Sequence, residues 1–347
     1  MIENTKKLDF ADAIQKTKKF IDNYSKEESV PGMSIAIGLR NKIICSEAVG
    51  YSNLEKKIPA TTKTKFRIGS VSKPLTIAAL AVLYQKGLVD FLAPIQKYVP
   101  TFPVKKWTIN LRDLACHMGG IRHYHENESR TLTSETIKDG LSIFMNDPLI
   151  NQPNTEFSYS SYGYNLIGAA IENIAEEEFA VFTRKEVFEP LKMTNTLAEN
   201  RKMDIPERTS FYGLDENGRV IQANDFAIEF KIPSGGFLST AEDLVTFGLN
   251  CLQPGFFSKE VLNLFFTPQK NKEGKDFEMG IGWMISPDTK GRMRYGHLGG
   301  VQGGCSMLVI FPETELVVAF NGNRDTDWSD EPTQTIAEYF LEIIEKG

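Results

Sequence analysis

Ser70 and Lys73 stand three residues apart in Phe66-Arg67-Ile68-Gly69-Ser70-Val71-Ser72-Lys73-Pro74, the one Ser-x-x-Lys in the 347-residue chain. An alcohol is a poor nucleophile until a neighbouring base takes its proton, and a desolvated lysine can be that base. The spacing serves this chemistry if the pair opens a helix, where positions i and i+3 share a face. Alone the pattern is weak: average Ser and Lys usage supplies about one such match by chance in a chain of this length. Two later segments carry further polar chemistry. One is Phe157-Ser158-Tyr159-Ser160-Ser161-Tyr162-Gly163-Tyr164; the other, on an expected strand, is Tyr295-Gly296-His297-Leu298-Gly299-Gly300.

The surrounding pattern supplies a frame for these groups. After Ser70, the apolar residues Leu75, Ala78, Ala79, Leu83 and Tyr84 recur at helical spacing, and Gly87 reads as the C-terminal stop. Pro74 is tolerated near a helix start, which puts Ser70 at the N-terminus. Ser72 reads as a support for Lys73 or as a helix cap. Phe10, Ala13, Ile14, Phe20 and Ile21 suggest an amphipathic helix over 8–24. Met33–Leu39 and Ile43–Val49 read as a hairpin turning through Arg40-Asn41-Lys42. The middle of the chain is rich in helical segments and long loops, with Ser239-Thr240-Ala241-Glu242 read as a capping box. Strands return at Gly282–Ile285, Met293–His297, Ser306–Phe311 and Leu316–Phe320, and a helix at about Thr333–Ile344 closes the chain. The expected class is α+β. Residues 1–75 and 245–347 would form a discontinuous domain around one antiparallel sheet, and 76–244 a mainly helical subdomain, with the site between them.

Bulk composition narrows the partners. Hydrophobic residues are 41% and charged residues 24% of the chain, with a net charge of −6. That is ordinary for a soluble globular protein, and without a long basic run nucleic acid is not an expected partner. No apolar stretch approaches the roughly 18 residues of a membrane span. Met1–Lys7 is charged and no apolar segment follows it, so a cytoplasmic protein is expected as the chain stands, or a periplasmic or secreted one if a leader once preceded it. Cys45, Cys116, Cys251 and Cys305 are scattered and read as buried thiols. His117, His123 and His125 are irregularly spaced and complete no ligand set, so no metal is expected. The glycines of 299–304 precede a strand rather than a helix, which argues against a phosphate cradle. No cofactor is implied.

Taken in order, Ser70-x-x-Lys73, the Tyr159 segment and His297–Gly300 resemble the three signature elements of the serine beta-lactamase and penicillin-binding superfamily. The wording is most similar to its class C-like branch, and there to the LACTB-type beta-lactamase-related serine hydrolases. Phe66–Pro74, Leu111–Tyr124, Ser234–Thr240 and His297–Pro312 carry that likeness, which extends over roughly 10–345.

The resemblance implies roles. Ser70 would be acylated, with Lys73 as its base; Tyr159 would relay protons to the leaving group and activate the deacylating water. The backbone N–H groups of Ser70 and Gly300 would form the oxyanion hole. Gly299 would let substrate approach the strand, and His297 would help orient Tyr159. Ser161 holds a place usually occupied by Asn and lacks its amide. His297 replaces a permanent positive charge, and Leu298 removes a hydroxyl that often binds a substrate carboxylate. No loop glutamate of the class A type is seen. The expected function is a serine hydrolase acting through an acyl-enzyme on small esters or peptides, D-residue peptides among them, with weak or no beta-lactamase activity. The rivals are a low-turnover, penicillin-binding or self-assembling scaffold, as a homo-oligomer or polymer, and a DD-carboxypeptidase.

Overall fold

The two ends of the chain meet in one antiparallel sheet. The structure, a computed structural model, describes residues 8–125, 128, 134–224, 226–326 and 332–346. The reading of Met1–Lys7 lies outside the described residues, as does part of the loop after His125.

Helix α1 (Ala11–Glu27) leads into β1 (Gly32–Leu39), β2 (Lys42–Asn53), β3 (Ile58–Pro59) and β4 (Phe66–Arg67). Then come α2 (Ser72–Gln85), α3 (Leu111–Ala115), α4 (Ile137–Leu141), α5 (Ser161–Ala175) and α6 (Phe179–Thr183). Short strands β5 (Leu197–Ala198), β6 (Tyr212–Leu214) and β7 (Val220–Gln222) precede α7 (Ile232–Gly235), β8 (Phe237–Ser239), α8 (Ala241–Asn250) and α9 (Lys259–Phe266). The chain ends with β9 (Met284–Pro287), β10 (Met293–Val301), β11 (Gly304–Phe311), β12 (Leu316–Gly322) and α10 (Pro332–Ile344).

The main sheet has seven strands in the order β3-β2-β1-β12-β11-β10-β9. Its centre is the pairing of β1 with β12, in which Ile35 faces Phe320 and Ile37 faces Val318. These central strands are buried on both sides, so they read as apolar runs rather than as alternation. Ile35, Ile37, Val318 and Phe320 pack under α1 and α10. Ala36, Leu308, Ile310, Val317 and Ala319 face the opposite way, into a core that continues through α2, α5 and α8. The expected α+β class with a sheet built from both ends is the observed one.

Local chemistry explains most boundaries. Arg40 and Asn41 both have positive φ, +47° and +66°, the signature of a two-residue primed turn, so the hairpin is tighter than the three-residue turn expected. Gly87, at φ +72°, ends α2 in a Schellman motif: its N–H donates to Tyr84 O and the N–H of Leu88 donates to Leu83 O. Strand β9 begins later than expected because Gly282 sits at φ +82°, outside strand geometry. The cap of α8 is Thr240, whose hydroxyl accepts from Asp243 N, one position beyond the expected Ser239. Helix α2 is buried on every side from Ser72 to Leu83 rather than along one face. Lys73 is therefore carried into the interior by the helix itself.

Candidate active site

Two glycines bring the turn that holds Ser70 and the sheet together. Strand β4 passes into a single 3₁₀ turn, Gly69–Val71, and α2 follows at once with no side-chain cap. Gly69 has φ +47°, and a Cβ there would lie 2.9 Å from the backbone of Gly300. A Cβ on Gly299 would lie 2.0 Å from Ile68 O and 3.0 Å from Val71 N. Strand β10 can thus rest directly on the turn that holds Ser70, with Gly300 beside Gly69. Gly299 thus has a use beyond the substrate approach expected of it: it makes room for a carbonyl of the protein itself.

Lys73 is buried without a counter-ion among its hydrogen-bond partners. Its Nζ is 2.9 Å from Ser70 Oγ, 3.3 Å from Ser161 Oγ and 2.7 Å from Ser234 O. The amine also lies over the rings of Tyr159 and Tyr164. Burial, reinforced by the charge of Lys231, pushes its pKa well below the lysine range. Ser72 neither bonds Lys73 nor caps the helix; its hydroxyl accepts from Phe237 N and ties β8 to α2.

Tyr159 Oη donates to Ser70 Oγ at 2.8 Å, and burial raises the phenol above its ordinary range. The segment carrying it is pinned by two histidines. Ser158 N donates to His117 O at 2.7 Å, and Ser160 N donates to His117 Nδ1 at 3.1 Å. Ser161 N donates to His123 Nδ1 at 3.2 Å. The His117 ring lies 4.3 Å from the Tyr159 ring at 32°, and that of His123 meets it edge-on. Burial first, then the charge of Lys73, lowers both imidazoles, His123 to about 4. Both therefore spend Nδ1 on backbone amides, which suits neutral rings rather than metal ligands. Among the described residues no group of three or more His, Cys, Asp or Glu side chains is placed to hold a metal.

His297 lies beside Tyr159, with ring centroids 6.5 Å apart, but its Nδ1 pairs with Leu298 O at 2.7 Å rather than with the phenol. His117 and His123, with Asn151 on Ser158 Oγ and Arg122 O accepting from Ser160 Oγ, thus hold the Tyr159 segment by hydrogen bonds that His297 does not supply. Burial and Lys73 lower His297 to about 3, so it is neutral. Leu298 packs against the cluster under α1 and α10, the other side of the strand. Cys305 is buried and its thiol is pushed up to about 12, which makes it unreactive.

Arg67, three residues before Ser70, was not singled out by its type or spacing. It forms a two-pronged pair with Glu199, Nε to Oε2 at 2.7 Å and Nη2 to Oε1 at 2.9 Å, with both side chains at most 2% exposed. Its Nη1 donates to Gln302 O, and its guanidinium stacks 3.6 Å from the Phe211 ring centroid. The segment that holds Ser70 is thereby tied to the β10–β11 turn just beyond Gly300.

A profile of the beta-lactamase family matches residues 17–339. The chain belongs to the beta-lactamase family. Membership makes it a serine hydrolase of this fold. It is 28% identical to the human mitochondrial serine beta-lactamase-like protein LACTB, over 88% of this chain and 73% of that one. It is 26% identical to penicillin-binding protein 4* of Bacillus subtilis, over 82% and 66%. The octameric penicillin-binding protein homologue from Pyrococcus abyssi superposes with a TM-score of 0.83 at 25% identity, covering 96% of this chain and 77% of that one. The D-amino acid amidase of Ochrobactrum anthropi SV3 shares the fold, with a TM-score of 0.82 at 22% identity over 97% and 99%. Among the described residues no helix is long and apolar enough to cross a membrane.

Proposed function

We propose that this beta-lactamase-family chain hydrolyses small esters or peptides, D-residue peptides among them, through an acyl-enzyme on Ser70, with weak or no turnover of beta-lactams. One observation carries the reading: the Ser70 hydroxyl is shared by the buried amine of Lys73 at 2.9 Å and the phenol of Tyr159 at 2.8 Å. A neutral amine has two N–H bonds and one lone pair. Ser234 O can only accept, so it takes one N–H, and Ser161 Oγ takes the other. The lone pair is left for the Ser70 proton, and Ser70 Oγ in turn accepts from Tyr159.

The steps follow from that arrangement. Ser70 Oγ attacks the substrate carbonyl as its proton passes to Lys73 Nζ. The N–H groups of Ser70 and Gly300 hold the oxyanion. On collapse the leaving group departs with a proton from Tyr159, which is replenished from the Lys73 ammonium. Water then attacks the ester by the reverse transfers and frees Ser70. Two features weigh against anionic beta-lactams: His297 is neutral where a permanent cation would capture a carboxylate, and Leu298 offers no hydroxyl.

A fluorophosphonate or fluorescent penicillin probe should label intact protein at Ser70, and Ser70→Ala should abolish ester turnover. Absence of labelling together with unchanged turnover in Ser70→Ala overturns the mechanism. The likeness to an octameric homologue favours a second reading, an assembled form, which sizing of the purified chain tests: a monomer at micromolar concentration excludes it.

A further inference from the structure

We propose that His117 is a positioning residue for catalysis, acting through Tyr159 and resting on the acyl-enzyme reading above. Tyr159 has a chain neighbour on each side, and His117 holds both. Its carbonyl accepts from Ser158 N and its Nδ1 accepts from Ser160 N, while its ring packs on the Tyr159 ring 4.3 Å away. Three contacts from one residue leave the phenol little freedom to swing from Ser70 Oγ.

The clamp dictates a chemical form. A backbone N–H donates to Nδ1, so that nitrogen carries no proton and the ring is the neutral Nε2–H tautomer. It also dictates a backbone form: His117 sits at φ +58°, which turns its carbonyl toward Ser158 while its ring reaches Ser160. Asparagine tolerates that conformation and its Oδ1 can replace Nδ1 as acceptor; phenylalanine keeps a ring and loses the acceptor.

The test compares phenyl and p-nitrophenyl esters of one acid by kcat/KM, which reports acylation. Nitrophenolate departs unaided, whereas phenolate benefits from the Tyr159 proton. General acid help is worth about 10²–10⁴-fold. In H117F the phenyl ester should lose about tenfold more than the p-nitrophenyl ester, and H117N should recover most of that gap. Equal losses for both esters, as from a smaller folded fraction, overturn the proposal, as does H117N behaving like H117F. A second readout needs neither variant folded nor turnover: nitrogen NMR of histidine-labelled wild type at pH 7 should find His117 as Nε2–H. Finding it as Nδ1–H or as imidazolium overturns the clamp. Failure of the acyl-enzyme reading shows separately, as turnover that survives Ser70→Ala.

Discussion

Gly299→Ala separates two uses of one glycine. The added Cβ would lie 2.0 Å from Ile68 O, where side-chain carbons keep at least 3.0 Å from their neighbours. Strand β10 and the turn that holds Ser70 must therefore part by about 1 Å, and both obstacles are backbone, which cannot rotate away. The parting opens the gap between the two N–H groups assigned to the oxyanion. Misplacement by about 1 Å can cost about 10²-fold, and loss of one oxyanion donor costs about 10²–10³ in kcat. Overpacking at a dense contact adds a stability loss of about 1–3 kcal/mol. Steady-state hydrolysis of a p-nitrophenyl ester, with urea unfolding on the same preparation, reads both quantities. The expected result is a fall in kcat of about 10²-fold, little change in KM and a lower unfolding midpoint. If KM rises alone, with kcat and stability intact, the glycine serves substrate approach and the turn-packing argument fails.

Three further outcomes follow from buried charge. The depressed pKa of Lys73 means that the unfolded chain binds an extra proton between that pKa and 10.5, so wild-type stability relative to Lys73→Met should rise with pH across that window; a flat difference in urea unfolding refutes it. His297 is lowered from 6.5 to about 3, so its part of the stability is complete above pH 6.5 and is lost as pH falls toward 3. His297→Asn should lose less stability than wild type between pH 7 and pH 4.5, and an equal loss contradicts the assignment. Arg67→Met leaves Glu199 buried with Arg208, 3.8 Å away, as a weaker counter-ion, and should cost up to about 3–5 kcal/mol, most of it recovered in the double variant Arg67→Met with Glu199→Leu; additive losses in a double-mutant cycle would show that the pair is not coupled.

The side chains that meet at Ser70 were legible because their types announce their chemistry. A serine and a lysine three apart need only a helix to meet, and the pattern after Ser70 promised one. The sheet was legible in outline, since strand patterns at both ends have no other partner to complete them. What stayed hidden were contacts made by backbone. His117 holds Tyr159 by accepting from two amides some 40 residues away, and an amide has no letter in a sequence. Gly299 points toward substrate in the sequence because a glycine shows that something approaches, not what; the contact with Ile68 O is made by backbone. Arg67 resembled any basic residue near a helix start until Glu199, 132 positions on, closed against it.

The pairing of β1 with β12 has a consequence in time. Met33 meets Gly322, and Gly69 meets Gly300 only after about 230 residues more have been made, on the order of 10–50 s at ordinary rates of synthesis. Contacts this distant along the chain form late and slowly. A nascent chain that has reached Ser70 still lacks the strand that packs on the turn holding it. The turn that holds Ser70 waits for β10, and β10 reaches β1 in the sheet only through β11 and β12.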